Sequence, residues 1–129
     1  MPLVSTIIPT TRRPNLLIRA INSVLTQTMS NLEVIIVVDG PNPETIMALR
    51  ELTDSRLRVI QNEVPSGPGL ARNMGVAAAR GPWIAFLDDD DEWLPHKLER
   101  QLAAAEEASQ PVIVSCLSHI VTPLARYVW

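Results

Sequence analysis

The stretch GPGLARNMGVAAARGPWIAFLDDDDEW, residues 67–93, holds the pattern that decides the fold. After a glycine-bearing loop, LARNMGVAAAR (70–80) predicts a helix of small residues, which Gly81-Pro82 ends. WIAFLD (83–88) is an apolar run of strand length. Four aspartates and a glutamate occupy residues 88–92. The order of helix, turn, strand and acidic loop is typical of one unit of an α/β domain.

The rest of the chain alternates in the same way. Apolar, β-branched runs predict strands at 4–8, 32–39, 57–62, 83–88 and 112–117, and periodic apolar residues predict helices at 15–28, 43–52, 70–80 and 95–109. This alternation predicts an α/β fold of three layers with a mostly parallel sheet. Such sheets bind ligands outside the carboxyl ends of their strands, which selects the loops after residues 8, 38, 62 and 87.

Composition limits the class of protein. The 129 residues suffice for one domain, and 47% of them are apolar, enough for a core. A net charge of −3 without a long basic run gives no sign of nucleic-acid binding. The apolar runs are too short for a membrane span, and the N-terminus lacks a signal-peptide pattern. The single cysteine, Cys116, excludes an internal disulfide and is expected in the core. We expect a cytoplasmic location, which includes the inner face of a membrane.

The acidic run needs an explanation because like charges repel. Two carboxylates about 4 Å apart cost roughly 1 kcal/mol in water and about 4 kcal/mol at an effective dielectric near 20. The acids can extend into solvent and cap the helix that follows. Alternatively, a divalent cation can turn the repulsion into attraction. The run alone leaves both interpretations open.

Common phosphate and metal motifs do not fit. Gly67 and Gly69 suggest the dinucleotide motif GxGxxG, but its third glycine falls on Arg72 and the glycines follow the third strand. The Walker sequence GK[ST] and the zinc motif HExxH are absent. An EF-hand counted from Asp88 would need glycine where Trp93 stands. The two histidines lack metal-ligand spacing and are expected to have surface or packing roles.

Several segments in order do carry a resemblance. IIPT (7–10), VVDG (37–40), residues 67–93 and the helix after them resemble the nucleotide-binding half of family 2 glycosyltransferases, which have the GT-A fold. The resemblance runs from about residue 3 to 110. It implies a Rossmann-like nucleotide-binding half, here a single donor-binding domain over 1–129. It also implies metal-dependent, inverting transfer of a sugar from a nucleoside-diphosphate sugar, with a UDP-sugar favoured, to an acceptor hydroxyl.

The resemblance assigns nucleotide-binding roles outside the acidic run. Pro9 and Thr10 match the first loop of the family, which lies against the base and ribose. Asp39 matches the acid that accepts a hydrogen bond from the imide N–H of the base, a task that suits a carboxylate because it only accepts. Arg72 matches a residue near the base or the phosphates, both of which a guanidinium can bind through two donors.

The resemblance also assigns the acids. Asp88-x-Asp90 corresponds to the DxD motif of the family and places Asp88 at the nucleotide. Asp89 is expected to face the ribose, and Asp90 is expected to be the direct ligand of Mn²⁺ or Mg²⁺. These ions prefer hard oxygen ligands, and Mg²⁺ is usually bound through one or two carboxylates plus substrate phosphates.

The sequence departs from the family in three places. Thr11 and Arg12 stand where many relatives have an aromatic residue and Asn, so the implied stacking on the base is in doubt. Gly40 follows Asp39 where many relatives have a second acid. The acceptor half, with its catalytic Asp or Glu base, is expected beyond Trp129, so we expect this chain to be a fragment.

Two other functions stay open at this point. The first is a nucleotide-binding module without catalysis. The second is a receiver-type phosphoacceptor domain, although its acids would follow the first and third strands and here they follow the fourth. Asp39 could instead form an Asx turn with Gly40, and Arg72 could form only a surface salt bridge.

Overall fold

This computed structural model describes residues 1–121 and 125–128, and strands and helices alternate in it up to residue 106. The elements are β1 (Val4–Thr10), α1 (Pro14–Leu25), β2 (Leu32–Asp39), α2 (Pro43–Arg50), β3 (Leu57–Asn62), α3 (Pro68–Ala78), β4 (Trp83–Phe86), α4 (Lys97–Glu106), β5 (His119–Val121) and β6 (Arg126–Val128). Within the described residues, no helix has both the length and the apolar character needed to cross a membrane.

The first four strands form one parallel sheet in the order β3-β2-β1-β4. The chain moves outward from β1 through β2 to β3 and then returns to place β4 on the other side of β1. β1 and β4 therefore flank the point where the strand order reverses, which is where open α/β sheets bind ligands. This confirms the predicted α/β class with a mostly parallel sheet.

Helices cover both faces of the sheet. β1 and β2 are buried at every residue. On one face Ile36 belongs to a cluster with Leu17 and Ile21 of α1, and on the other Ile35 clusters with Ala71 of α3. A strand buried on both faces needs apolar residues without alternation, which is why β2 reads as a continuous apolar run. The predicted three layers are therefore present.

A buried polar cluster closes the amino edge of the sheet. The Glu33 carboxylate accepts hydrogen bonds from Ser5 Oγ at 2.7 Å, Arg58 Nη1 at 2.8 Å and the Arg80 backbone N–H at 2.7 Å. Burial alone would raise the pKa of Glu33, but these hydrogen bonds and the charge of Arg58 together lower it below its ordinary value. The cluster ties the first three strands to the turn that leads into β4.

The fifth predicted strand, 112–117, is wrong. Those residues have no regular secondary structure, and β5 pairs instead with β6 in a separate antiparallel sheet. Ile113 and Leu117 are exposed, as is Cys116, which was expected in the core. An apolar run forms a strand only where a neighbouring strand and a packing face accept it, and in the described structure no strand pairs with this run and most of its residues are exposed.

The close packing of α3 on β1 depends on Gly75. Its backbone lies against Ile7, so a Cβ atom there would overlap the Ile7 side chain. We expect Gly75→Ala to lower the free energy of unfolding by about 1–3 kcal/mol, since overpacking outweighs the better helix propensity of alanine. Urea denaturation measures this value. Gly69→Ala is the matched control, because a Cβ at Gly69 meets no atom within 4 Å. Equal stability of the two variants would contradict the packing argument.

Candidate functional site

A cleft of about 400 Å³ lies at the carboxyl edge of the sheet. It is bounded by the ends of β1, β2 and β4 and by the start of α3. The residues predicted to bind nucleotide or metal all line it: Pro9, Thr10, Asp39, Arg72, Asp88, Asp89 and Asp90. A second cavity, of about 350 Å³, lies at the amino edge, but there Arg58 and Arg56 pair with Glu33 and Asp54. The cleft at the carboxyl edge is therefore the candidate site.

Of the first three acids after β4, the side chain of the middle one is buried and the other two are exposed. Leu87 continues the strand pairing by donating its backbone N–H to Ile7 O at 3.1 Å, and its side chain is buried. Asp88 and Asp90 then expose 52% and 44% of their side chains, whereas Asp89 exposes only 3%. Residues 88–91 form a turn closed by a hydrogen bond of 3.1 Å from the Asp91 N–H to Asp88 O, and of the three acids only Asp89 points inward from it.

Thr10 holds the buried acid. The Thr10 Oγ1–H donates to Asp89 Oδ2 at 2.7 Å, across the gap between the ends of β1 and β4. A buried carboxylate needs such donors, because an unpaired charge in the interior is costly. Thr10 was predicted to contact the nucleotide, and the structure shows in addition that it anchors Asp89.

Two arginines, one in α3 and one just before α1, balance the charges of the exposed acids. Arg72 of α3 pairs with Asp88, and Arg13, at the residue before α1, pairs with Asp90 and also approaches Asp89 Oδ1 at 3.0 Å. Asp91, which lies outside these pairs, has its pKa raised, first by burial and then by the charges of Asp90 and Asp88. The repulsion along the run is thus offset locally by guanidinium groups.

Arg13 is the site residue that sequence reasoning missed. The loop after residue 8 was predicted to bind a ligand, yet its arginines, Arg12 and Arg13, were given no role in binding. A signal was present, because two basic residues follow the first strand and four acids follow the fourth. Only the strand order, which makes β1 and β4 neighbours, shows that the two loops meet.

Asp39 organises the loop between β3 and α3. Its carboxylate accepts from the Ser66 backbone N–H at 2.9 Å, the Gly67 N–H at 2.7 Å, the Ser66 hydroxyl at 3.0 Å and Asn62 Nδ2 at 3.1 Å. These bonds are not those of an Asx turn with Gly40. Gly40 itself has a φ of 96°, and a Cβ there would lie 2.8 Å from Pro65 Cγ. The carboxylate thus fixes one wall of the cleft.

α1 fixes the segment beyond the acids. Ser23 Oγ accepts from the Trp93 N–H at 3.0 Å, while Gln27 donates to Leu94 O at 2.8 Å and accepts from the Leu98 N–H at 3.1 Å. α4 begins only at Lys97, with His96 as its N-cap. The interpretation of residues 88–92 as a cap on that helix is therefore wrong.

Within residues 1–121 and 125–128, no three side chains of the His, Cys, Asp and Glu types lie close enough together to hold a metal ion. The carboxylates of Asp89 and Asp90 do already share one cation, the Arg13 guanidinium. Two carboxylate groups facing an open cleft fit an ion that takes its remaining ligands from substrate phosphates and water.

We expect Thr10→Val to leave an oxygen of the buried Asp89 without its donor. The free energy of unfolding should fall by about 1–3 kcal/mol, measured by urea denaturation. Thr26→Val is the matched control, since the Thr26 hydroxyl donates to Asn22 O at an exposed position. Its effect should stay within about 0.5 kcal/mol. Equal losses in the two variants would show that Thr10 does not anchor Asp89.

The pKa of Asp39 leads to a prediction about acid stability. Burial raises this pKa, but the hydrogen bonds from Ser66, Gly67 and Asn62 outweigh burial and lower it below the ordinary 3.8. Asp39 therefore stabilises the fold above pH 3.8, and this contribution is lost as the pH falls through the lower, folded-state pKa. Asp39→Asn should make the loss of stability between pH 4 and about pH 2 shallower in acid titrations followed by circular dichroism. The exposed variant Glu51→Gln should follow the wild type. A wild-type slope in Asp39→Asn would contradict this assignment.

Comparison with known proteins identifies the family. The profile of Glycosyl transferase family 2 matches residues 5–127. WfgD of Escherichia coli, named as a UDP-Glc:alpha-D-GlcNAc-diphosphoundecaprenol beta-1,3-glucosyltransferase, is 39% identical over 101 residues, which are 78% of this chain and 40% of WfgD. ExoO of Rhizobium meliloti (strain 1021), named as a succinoglycan biosynthesis protein, is 40% identical over 101 residues, 78% of this chain and 29% of ExoO.

A solved structure gives the same result. S. aureus TarS 1-349 in complex with UDP-GlcNAc matches with a TM-score of 0.75 and 29% identity, over 83% of this chain and 32% of that chain. This chain spans two fifths or less of the length of the two curated relatives. Family profile, relatives and fold agree, and the chain belongs to Glycosyl transferase family 2.

Proposed function

We propose that this chain is the donor-binding domain of a glycosyltransferase and that its cleft binds a nucleoside-diphosphate sugar. One observation carries the proposal. The residues that the family resemblance assigns to the donor come from four separate parts of the sequence, yet all line one cleft at the reversal of the strand order. Packing alone gives no reason for four carboxylates and two arginines to meet there.

The donor nucleotide is assigned to the side of the cleft formed by β1, β2 and α3. In this proposal Pro9 and Thr10 lie against the base and ribose, and Asp39 accepts from the imide N–H of the base. The Asp39 carboxylate is held in place by the 66–67 backbone, which would present it in a fixed orientation. Arg72 would turn from Asp88 to the phosphates.

UDP is the favoured nucleotide. TarS has been solved with UDP-GlcNAc, and the name of WfgD gives UDP-Glc as its donor. Both proteins share the fold or the sequence pattern of this chain, which supports the assignment of a UDP-sugar here.

Asp90 is the proposed ligand of Mn²⁺ or Mg²⁺, with Asp88 at the nucleotide and Asp89 facing the ribose. The side chain of Asp90 is open to the cleft, whereas Asp89 is anchored by Thr10. When bound, such an ion neutralises the charge that develops on the departing nucleoside diphosphate. The residues of this chain bind and orient the donor beside it.

Transfer itself would be an inverting displacement. An acceptor hydroxyl oxygen bonds to the anomeric carbon from the face opposite the diphosphate, the bond from that carbon to the diphosphate oxygen breaks, and a carboxylate base takes the hydroxyl proton. We assign that base to a part of the protein beyond residue 129. A cytoplasmic location, at or near the inner face of a membrane, stays a prediction.

Of the two alternatives, a receiver-type domain is disfavoured, because the acids follow β4 instead of β1 and β3 and the family is that of glycosyltransferases. A nucleotide-binding module without catalysis keeps the same cleft. Activity of the longer protein with a UDP-sugar separates it from a transferase.

The binding test is calorimetric titration of the chain with UDP, with and without Mn²⁺. We expect Mn²⁺ to strengthen UDP binding about 5-fold or more, in the usual range of coupling between sites. Asp90→Asn should lose this enhancement because it removes the anionic ligand. Asp91→Asn is the matched control, since Asp91 is the next acid along the chain but does not line the cleft. Absence of binding to UDP, GDP and dTDP by the folded wild type would overturn the proposal.

A further inference from the structure

Arg13 lies in the cleft with no role in donor binding so far. Its Nη2 is 3.0 Å from Asp89 Oδ1, and its Nη1 donates to Asp90 Oδ2. The guanidinium therefore spans the buried acid and the exposed acid. Arg13 is the residue immediately before α1, and half of its side chain is exposed. The Arg13 backbone is thus fixed at the start of the helix, while the guanidinium lies in the open cleft.

The other charged groups of the cleft are already matched. Asp39 is satisfied by backbone and side-chain donors of the loop after β3, and Arg72 pairs with Asp88. Arg13 is left facing two carboxylates, Asp89 and Asp90, with a single positive charge. This half of the cleft retains an excess of negative charge when Arg13 is in place.

A guanidinium and a divalent ion cannot both take this position. The Arg13 nitrogens occupy the space beside Asp90 Oδ2 and Asp89 Oδ1, where an ion bound by Asp90 would lie. An arriving Mn²⁺ would compete with Arg13 for these oxygens, because a divalent ion and a guanidinium repel about twice as strongly as two carboxylates at the same distance. The displaced guanidinium would then be the nearest cation without a carboxylate partner at the mouth of the cleft.

We infer that Arg13 is an exchangeable counter-ion, which holds Asp89 and Asp90 together before loading and turns to the diphosphate of the donor once a metal ion binds Asp90. This inference rests on the proposed donor and metal site. A diphosphate accepts two parallel hydrogen bonds from a guanidinium, so the displaced side chain has a strong new partner. Metal binding thereby creates part of the nucleotide site, and the two ligands bind cooperatively through Arg13.

The inference predicts changes of opposite sign in one variant. Arg13→Ala removes the competitor of the metal ion, so Mn²⁺ alone should bind more tightly than it does to the wild type. The same variant lacks the cation that would bind the diphosphate, so the strengthening of UDP binding by Mn²⁺ should shrink about 5-fold or more. If Arg13 only stabilised the fold, its removal would weaken both Mn²⁺ binding and the strengthening of UDP binding by Mn²⁺. If it acted only through its charge, its removal would strengthen Mn²⁺ binding without reducing that coupling.

The experiment measures Mn²⁺ binding by the loss of the free-ion electron paramagnetic resonance signal, and UDP binding by calorimetry with and without Mn²⁺. Arg13→Lys keeps the charge and should retain part of the coupling. Arg19→Ala is the matched control, because Arg19 lies on α1, the helix that Arg13 precedes, and pairs with Glu92, which does not line the cleft. Arg19→Ala should leave Mn²⁺ binding and the effect of Mn²⁺ on UDP binding near the wild-type values. Thermal unfolding of each variant confirms that it is folded.

The outcomes separate the two proposals. Tighter Mn²⁺ binding together with weaker coupling in Arg13→Ala, and neither in Arg19→Ala, supports the inference. Metal-dependent UDP binding that Arg13→Ala leaves unchanged, or changes only as Arg19→Ala does, overturns the inference and leaves the proposed function standing. A folded wild type that binds neither Mn²⁺ nor UDP overturns both.

Discussion

The carboxylates that follow β4 repel one another, and they stay together because three neighbouring elements supply hydrogen-bond donors and positive charges to them. β1 supplies the Thr10 hydroxyl to the buried acid, α3 supplies Arg72, and the start of α1 supplies Arg13. Each of these groups reaches the acids only because β4 lies next to β1. The compensation of the negative charge on these acids therefore depends on the strand order.

α1 has a larger part in this arrangement than its place in the core suggests. Its buried face packs on the sheet and its first residue follows Arg13. Ser23 in its last turns and Gln27, two residues after its end, hold the segment 93–98. The two segments that flank the acidic cleft are therefore attached to the same helix. Asp39 performs the corresponding task on the opposite wall, where it binds the loop before α3.

The four strands of the main sheet could be predicted because each is a short apolar run bounded by turn residues; β2, which is buried at every residue, was predicted at 32–39 and found at Leu32–Asp39. The site could be located because parallel strands bring their carboxyl ends to one edge. The contact of Arg13 with the acids depends on strand order, which the local sequence does not contain. The run 112–117 has strand composition, but it is exposed in the described structure, and only tertiary context distinguishes such a run from a core strand.

Three successive aspartates have different contact partners, and only the position of each in the loop determines which partner it meets. Asp88, Asp89 and Asp90 meet Arg72, Thr10 and Arg13 respectively. The acidic loop is held at both ends. Leu87 is buried after the end of β4, the Trp93 N–H donates to Ser23 of α1, and five residues lie between Leu87 and Trp93. A shift of the chain by one residue would put another aspartate in each position without changing the composition of the loop. What distinguishes these acids is therefore the number of residues that separates each from Leu87, so the insertion of one residue after Leu87 would exchange their roles even though every acid remained.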